Sequence, residues 1–581
     1  MGGNDFLRHP VFSRATESEG IRLMKRKLDR LLKGALKKCF EAGKLKETSL
    51  PDYVIEVPNN SNHGHFATNL PMVLASSQRK RPRDLATVIV DNLEDGDQLI
   101  EKVDIAGPGF INFTIAPRQW QMLLGDILAL GADYGRSTTG AGQKVLVEFV
   151  SANPTGPLHL GHGRGAALGD TLCRILSFTG HEVVREFYIN DAGQQVRLLG
   201  ESVYSRWKQK SDPGYPFPEN GYHAEYIGDL AAEITGHVDL GALNREEAIA
   251  RCAEFGKGRM LDEIKKDLAD FRVAFDIWSS ESDLYASGLI DKTLESLRDK
   301  GELYAEEGAL WIKTSAFGDD KDRVIRKSDG QYTYFAPDIA YHIEKWKRGF
   351  TKAINIWGAD HHGYVQRMKA ALKTNGIRDE WLSVLLLQLV KLWRGGEEVK
   401  MSKRAGLYVT LKELVDEVGV DSARFVFLTK NHDSPLDFDI DLVKKQDADN
   451  PVYYVQYAHA RISSVFRKAA SESISLPGAP ESVLERLVLD EEMALIRLMA
   501  DFPNLLEDLS RTLEPHRLTY YLAELASLFH KYFNLGSKES EKRIVGEDQA
   551  LSQARLCLIE GLRIVLSNGL RLLGIHAPER M

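Results

Sequence analysis

Between Ile21 and Leu36 the apolar residues Leu28, Leu31, Leu32 and Leu36 return at helical spacing, with basic residues between them. This predicts an amphipathic helix near the start of the chain. Val103 to Ile115 reads as strand, turn, strand around Gly107-Pro108-Gly109. Together they predict a small α+β N-terminal domain over residues 1–130. The pattern changes at Lys144. Lys144 to Val150 is a short apolar strand, Ser151 to Pro157 a Pro/Gly-rich loop, and a helix is predicted from about Gly161 to Thr179. A second strand spans Glu182 to Ile189. Strand, helix, strand is the opening unit of a parallel sheet. A similar unit recurs as strand Lys352 to Trp357, helix Gly363 to Lys373 and strand Leu382 to Val390.

The fold class is therefore multidomain α/β. A doubly wound, Rossmann-type sheet is predicted over residues 131–410, its halves separated by a mainly helical insertion at about 200–325. That insertion carries a strand pair near Leu303 to Ile312. After about Gly406 no strand is predicted. Residues 411–450 read as a junction and 451–581 as an all-α domain, with helical periodicity in Val483 to Leu509 and Thr519 to Phe533. Ser471 to Glu481, broken by Pro477 and Pro480, is a loop.

A length of 581 residues exceeds what one core serves, which fits three to four domains. No run of about 18 apolar residues exists, and Met1 to Gly20 lacks the apolar core of a signal peptide. A cytoplasmic protein is expected, with no membrane partner. Four widely spaced cysteines, Cys39, Cys173, Cys252 and Cys557, show no metal-ligand spacing and no disulfide framework. No protein-held metal is expected. The net charge of −8 argues against indiscriminate nucleic-acid binding. Local basic runs such as Arg79-Lys80-Arg81-Pro82-Arg83 still leave room for a basic groove on an acidic body.

The loop after the first strand carries the first chemistry. In Asn153-Pro154-Thr155-Gly156-Pro157-Leu158-His159-Leu160-Gly161-His162, two histidines three apart stand where a loop enters a helix. Helix N-termini attract anions, and imidazole N–H groups can donate to phosphate oxygens. Gly161 lets a flat base or ribose approach the backbone. A capping histidine pair would explain the same residues structurally. Gly161-x-Gly163-x-x-Ala166 with Glu182 also matches a loose dinucleotide fingerprint, but a ten-residue loop separates it from the strand. A zinc site lacks a third local ligand. The second element is Lys400-Met401-Ser402-Lys403, flanked by Gly395-Gly396 and Gly406. Lysines on such a loop can neutralise charge building on a leaving pyrophosphate.

The pair resembles the two signatures of class I aminoacyl-tRNA synthetases, "HIGH" (here His-Leu-Gly-His) and "KMSK" (unchanged). Within that class the chain resembles the bacterial-type arginyl-tRNA synthetases over nearly its whole length. The matching stretches include Val147 to His162, Tyr188-Ile189-Asn190-Asp191, Tyr332 to Asp338, Trp357-Gly358-Ala359-Asp360-His361-His362, Asp433 to Phe438, and Tyr457-Ala458-His459-Ala460-Arg461.

The resemblance implies ATP-dependent activation of L-arginine and its transfer to tRNA(Arg), with Mg²⁺ accompanying ATP and a monomeric enzyme. It places His159, His162, Lys400 and Lys403 on the phosphates, and Gly161, Gly358, Asp360, Met401 and Ser402 at ATP. Glu148, Asn153, Glu281, Tyr334 and Asp338 match arginine-contacting positions. Asn153 would take the amino or carboxylate end. Guanidinium offers five donors in a planar fork, so carboxylates and an aromatic wall suit it. Some relatives have a glutamine in the stretch that is Trp357 to His362 here, and this chain has none. The N-terminal domain would contact the tRNA elbow. The C-terminal helices would form the anticodon-binding domain, with Tyr457, His459, Arg461 and Asn534 meeting unpaired bases. The resemblance also implies that arginine activation depends on tRNA. Two other readings remain: a paralogue that only binds tRNA, or one that activates another amino acid.

Overall fold

The computed structural model describes residues 20–58, 60, 63–400 and 409–581. The first helix, Gly20–Glu41, buries Leu28, Leu32 and Leu36 as its periodicity predicts. Strands β1 (Ile55–Glu56), β2 (Phe66–Thr68), β3 (Ile100–Ala106) and β4 (Phe110–Ile115) form an antiparallel sheet in the order β1-β2-β4-β3. The turn between β3 and β4 contains Gly107 and Gly109 with positive φ, which glycine adopts without steric cost.

The central sheet has five parallel strands. They are β5 (Lys144–Glu148), β6 (Glu182–Ile189), β7 (Ile277–Ser280), β11 (Lys352–Gly358) and β12 (Leu382–Leu387), ordered β12-β11-β5-β6-β7. Strand order reverses between β5 and β11. In doubly wound sheets ligands bind in the crevice at the carboxyl ends of that switch point. Glu148 ends β5, and Gly358 ends β11.

Three parts of the chain depart from the periodicity reading. The stretch between the half-sheets is not one helical insertion. Helices Gln194–Gln209, Tyr226–Glu233 and Arg245–Asp270 share a separate core, and the chain then returns to the main sheet as β7. Beyond it β8 (Leu303–Glu306), β9 (Ala309–Ile312) and β10 (Arg323–Arg326) form an antiparallel sheet of three strands rather than a pair. The predicted strand Leu382 to Val390 also breaks. At Val390 the chain enters β13 (Val390–Arg394), which pairs with β14 (Glu397–Glu398) and with β15 (Leu436–Asp439). So a strand does follow Gly406. A hydrophobic run shows that a segment is extended but not which sheet it joins. Finally, Val483 to Leu509 is three helices, Glu481–Leu484, Asp490–Ala500 and Phe502–Thr512, the last opening on Pro503.

A buried cation locks the helical domain to the catalytic core. Arg424 is fully buried, donating to the carbonyls of Leu573 (2.8 Å) and Phe271 (3.1 Å) and to Asp170 Oδ2 (2.5 Å). Asp170 lies on helix Leu160–Phe178, which starts at the histidine pair. Gly574 has φ +72°, and a Cβ there would lie 2.4 Å from Arg424 Nη2.

Candidate active site

Val150 and Ser151 both adopt positive φ (70° and 43°) directly after β5. A β-branched residue in that region is strained, and such strain gathers at functional sites. The kink lets Ser151 Oγ donate to Glu148 Oε1 (3.1 Å) and accept from the Tyr188 amide (3.2 Å). The loop then runs to His159, which caps helix Leu160–Phe178. His159 Nδ1 accepts from the amides of Gly161 (3.1 Å) and His162 (3.4 Å), and His162 Nδ1 accepts from the His159 amide (3.3 Å). The rings stack with centroids 3.7 Å apart. The capping and phosphate readings are therefore compatible. Both Nδ1 atoms accept, so each neutral ring carries its proton on Nε2, as a donor directed away from the cap. Gly161 has a further reason to be glycine, because a Cβ there would press on the His159 ring at 3.1 Å.

The segment that resumes at Val409, after the second signature, meets the loop of the first through the backbone. Leu411 donates its N–H to the Leu158 carbonyl (2.8 Å), and His159 bridges to Thr410. Thr410 caps the following helix, Leu411–Val418, with Glu413 in a capping box. Gly163 has no room for a side chain, since a Cβ would meet Leu411 at 2.6 Å and Phe427 at 3.0 Å. Lys400 is exposed just beyond β14. Met401, Ser402 and Lys403 lie outside the described residues. Gly358 is the last residue of β11 and Asp360 follows just beyond it, with the Asp360 side chain 84% exposed.

Near the switch point lies a cluster of acids. Glu281 opens helix Glu281–Ala286 directly after β7. Tyr334 caps helix Phe335–Lys347 and is 66% exposed, and Asp338 lies one turn along, as the spacing of four predicts. Tyr364 donates to Asp338 Oδ2 (2.5 Å). Asn153 donates to Gln195 Oε1 (2.5 Å). Burial pushes Asp338 up to about 7, against the Tyr364 hydrogen bond and with the help of the Glu148 charge. Burial, then the charges of Asp338 and Asp191, push Glu281 up to about 7 as well. Among the described residues neither acid takes part in a salt bridge of 4 Å or less.

Glu148 differs. It is buried, with Lys345 paired to its Oε2 and Ser151 on its Oε1. Sequence reasoning missed Lys345, together with Tyr364, His342 and Asn355. The one signal for Lys345 is its place seven residues, or two helical turns, beyond Asp338, which puts it on the same side of the helix.

A pH effect follows from the two raised acids. The folded site keeps protons that an unfolded chain would release. The stability these acids contribute is therefore present at low pH and is lost as pH rises through about 7. A bound guanidinium favours the ionised acids, so arginine should bind more tightly through that same window. Arginine Kd is expected to rise about tenfold or more between pH 8 and pH 6, while ATP Kd stays within about twofold. Isothermal titration checks this, and a flat arginine Kd would remove the acids from the pocket.

In the helical domain a groove of about 760 Å³ is lined by Tyr457, Arg461, Arg467, Lys468, Phe533 and Arg543, among others. Arg461 sits over the rings of Tyr457 (4.5 Å) and Phe533 (4.7 Å) and donates to Tyr457 Oη (3.1 Å). This places aromatic faces beside cations, the usual equipment for unpaired bases. His459 is not in that set. It is buried and bonds the Pro578 carbonyl at 2.8 Å, pinning the last residues of the chain. Asn534 is exposed on helix His516–Lys538, but Phe533, Gly536 and Ser537 line the groove there.

A split doubly wound sheet, a histidine-capped helix at its switch point and a helical domain behind it define a class I aminoacyl-tRNA synthetase. The family model for the class I (R) tRNA synthetase catalytic domain matches residues 124–464. The arginyl-tRNA synthetase N-terminal domain matches 26–115, and the DALR anticodon-binding domain 455–581. The chain is 48% identical to an arginine–tRNA ligase of Geotalea daltonii, covering 96% of this chain and 100% of that protein. It is 45% identical to that of Bacillus licheniformis, with 95% and 98% covered. The solved arginyl-tRNA synthetase of Thermus thermophilus shares the fold (TM-score 0.73, 23% identity, covering 96% of this chain and 100% of that one). The chain belongs to the arginyl-tRNA synthetases, and its activity is the ATP-dependent ligation of arginine to tRNA. Among the described residues no helix is long and apolar enough to cross a membrane.

Proposed function

We propose that the guanidinium of arginine is received by Asp338 and Glu281, two neighbouring acids that make no salt bridge of 4 Å or less among the described residues. Two largely buried carboxylates placed together without a direct ion-pair partner carry the assignment, because a bound guanidinium would ionise and pair both. Glu148, at the end of β5, and Asn153, on the strained loop that follows, serve the amino-acid end nearer the reacting carboxylate. Tyr334 supplies an aromatic wall from the pocket rim. The carboxylate of arginine attacks the α-phosphate of ATP, and pyrophosphate leaves. A ribose hydroxyl at the tRNA 3′ end then attacks the adenylate and releases AMP.

No protein nucleophile is required, so the residues work by position and charge. Nε2–H of His159 and His162 donates to phosphate oxygens at the positive end of helix Leu160–Phe178. Lys400 and Lys403 neutralise the departing pyrophosphate. Gly161, Gly358, Asp360, Met401 and Ser402 serve ATP, with adenosine at the switch-point crevice. Mg²⁺, when bound, offsets phosphate charge. The ion would be held mostly by the triphosphate and water, as is usual for Mg²⁺ bound with a nucleotide.

The groove around Tyr457 and Arg461 takes the anticodon of tRNA(Arg), with Asn534 at its edge and His459 holding the wall behind it. The N-terminal domain takes the tRNA elbow. The domain limits are read as 1–130, 131–410, 411–450 and 451–581. The enzyme works as a cytoplasmic monomer. ATP–pyrophosphate exchange with each of twenty amino acids, in the presence of tRNA(Arg), tests the pocket. Arginine alone should support exchange, with lysine at background, because a single ammonium cannot satisfy two acids set for a planar fork. Comparable exchange with lysine would overturn the assignment.

A further inference from the structure

Lys345 lies on helix Phe335–Lys347, two turns beyond Asp338, and is completely buried. Its ammonium pairs with Glu148 Oε2, lies 4.2 Å from the centroid of the Tyr341 ring and reaches Asn355 Oδ1 at 3.5 Å. Asn355 stands on β11 directly opposite Glu148 on β5. Its amide donates to His342 Nε2 (2.9 Å). That leaves the proton of His342 on Nδ1, which donates to the Asp338 carbonyl (2.7 Å). Burial, and then the nearby Lys345 charge, push the His342 ring down to about 3, so it stays neutral and keeps this tautomer. One continuous polar chain therefore runs from the Glu148 carboxylate, through Lys345, Asn355 and His342, to the backbone of Asp338. It joins the two strands of the switch point to the helix that carries the pocket acid. A wholly buried ammonium is costly unless paired and hydrogen-bonded, and here its partner is the one pocket acid that has a cation.

We propose that Lys345 is a positioning residue for arginine recognition, fixing Glu148 at the end of β5 and setting it relative to Asp338. The inference rests on the reading that Glu148 and Asp338 belong to the arginine pocket. Lys345 touches no substrate and acts through Glu148. Removing it leaves Ser151 as the remaining hold on the Glu148 carboxylate, whose Oε2 is then free to turn toward water, and the amino-acid end of the pocket loses its fixed acceptor. ATP contacts, made by the histidine-capped helix and the end of β11, do not pass through this chain.

The test is steady-state aminoacylation by full-length Lys345→Met, Glu148→Gln, the double variant and Asp338→Asn. Lys345→Met should raise the arginine KM at least tenfold and leave the ATP KM within twofold. A purely structural role would move both together. In the double variant no buried charge is left unpaired, so its arginine KM should equal that of Glu148→Gln within twofold. A further fivefold rise over Glu148→Gln would show that Lys345 acts by another route, and an unchanged arginine KM in Lys345→Met would overturn the inference outright. If Lys345→Met does not fold, comparing Glu148→Gln with the double variant decides alone. If Asp338→Asn and Glu148→Gln both leave the arginine KM unchanged, the pocket reading itself falls. If they raise it while Lys345→Met does not, only the role of Lys345 falls.

Discussion

Asp338→Asn is expected to lower kcat/KM for arginine by about 30-fold to several thousand-fold, which corresponds to the 2–5 kcal/mol typical of losing one charge from a desolvated pair. The change keeps the shape and the Tyr364 hydrogen bond, since the asparagine carbonyl can still accept it. Only the charge is removed. The loss should therefore fall on arginine and spare the ATP KM. Glu148→Gln should act in the same direction, with some of the effect arising because Lys345 loses its partner. Steady-state kinetics with both substrates varied would decide. An Asp338→Asn enzyme with normal arginine kinetics would place the guanidinium elsewhere.

Arginine-dependent pyrophosphate exchange is expected to be near background with ATP and arginine alone, and to rise strongly when tRNA(Arg) is added. The structure offers a physical path for such coupling. The loop carrying His159 is tied to Thr410 and Leu411, and the helix it caps is tied through Asp170 and Arg424 to Leu573 at the end of the helical domain. A tRNA held at the Tyr457–Arg461 groove can therefore bias the position of the histidine pair, raising a competent state that is rarely populated without it. Truncation after about Val443 should abolish the rise. Full exchange without tRNA would refute the coupling.

The sequence made much of this frame legible, because period and motif speak directly. The Glu182 to Ile189 strand, the helix from Leu160 and the hairpin around Gly107 follow from spacing and glycine alone. Tyr334 and Asp338 stand four residues apart, and the helix that begins at Phe335 turns that spacing into one face. What stayed hidden depends on partners distant in the chain. β7 and β15 are four residues each, too short to show a period, and each is an element only because a neighbouring strand pairs with it. Lys345 looks like any lysine in a charged helix end, since nothing local says that Glu148, 197 residues away, waits for it. His459 misled for the opposite reason: its motif places it beside Tyr457 and Arg461, but helical geometry turns it inward.

The central claim is that two neighbouring acids without a direct ion-pair partner among the described residues select the charged guanidinium, and the most direct test replaces charge while keeping shape. Citrulline has the length and planarity of arginine but a neutral urea group. Isothermal titration of both amino acids into the enzyme with tRNA(Arg) bound should show arginine binding at least about a hundredfold more tightly, as expected when buried charges lose their partner. Asp338→Asn should shrink that ratio by tenfold or more. Equal affinity for arginine and citrulline in the unaltered enzyme would contradict the account.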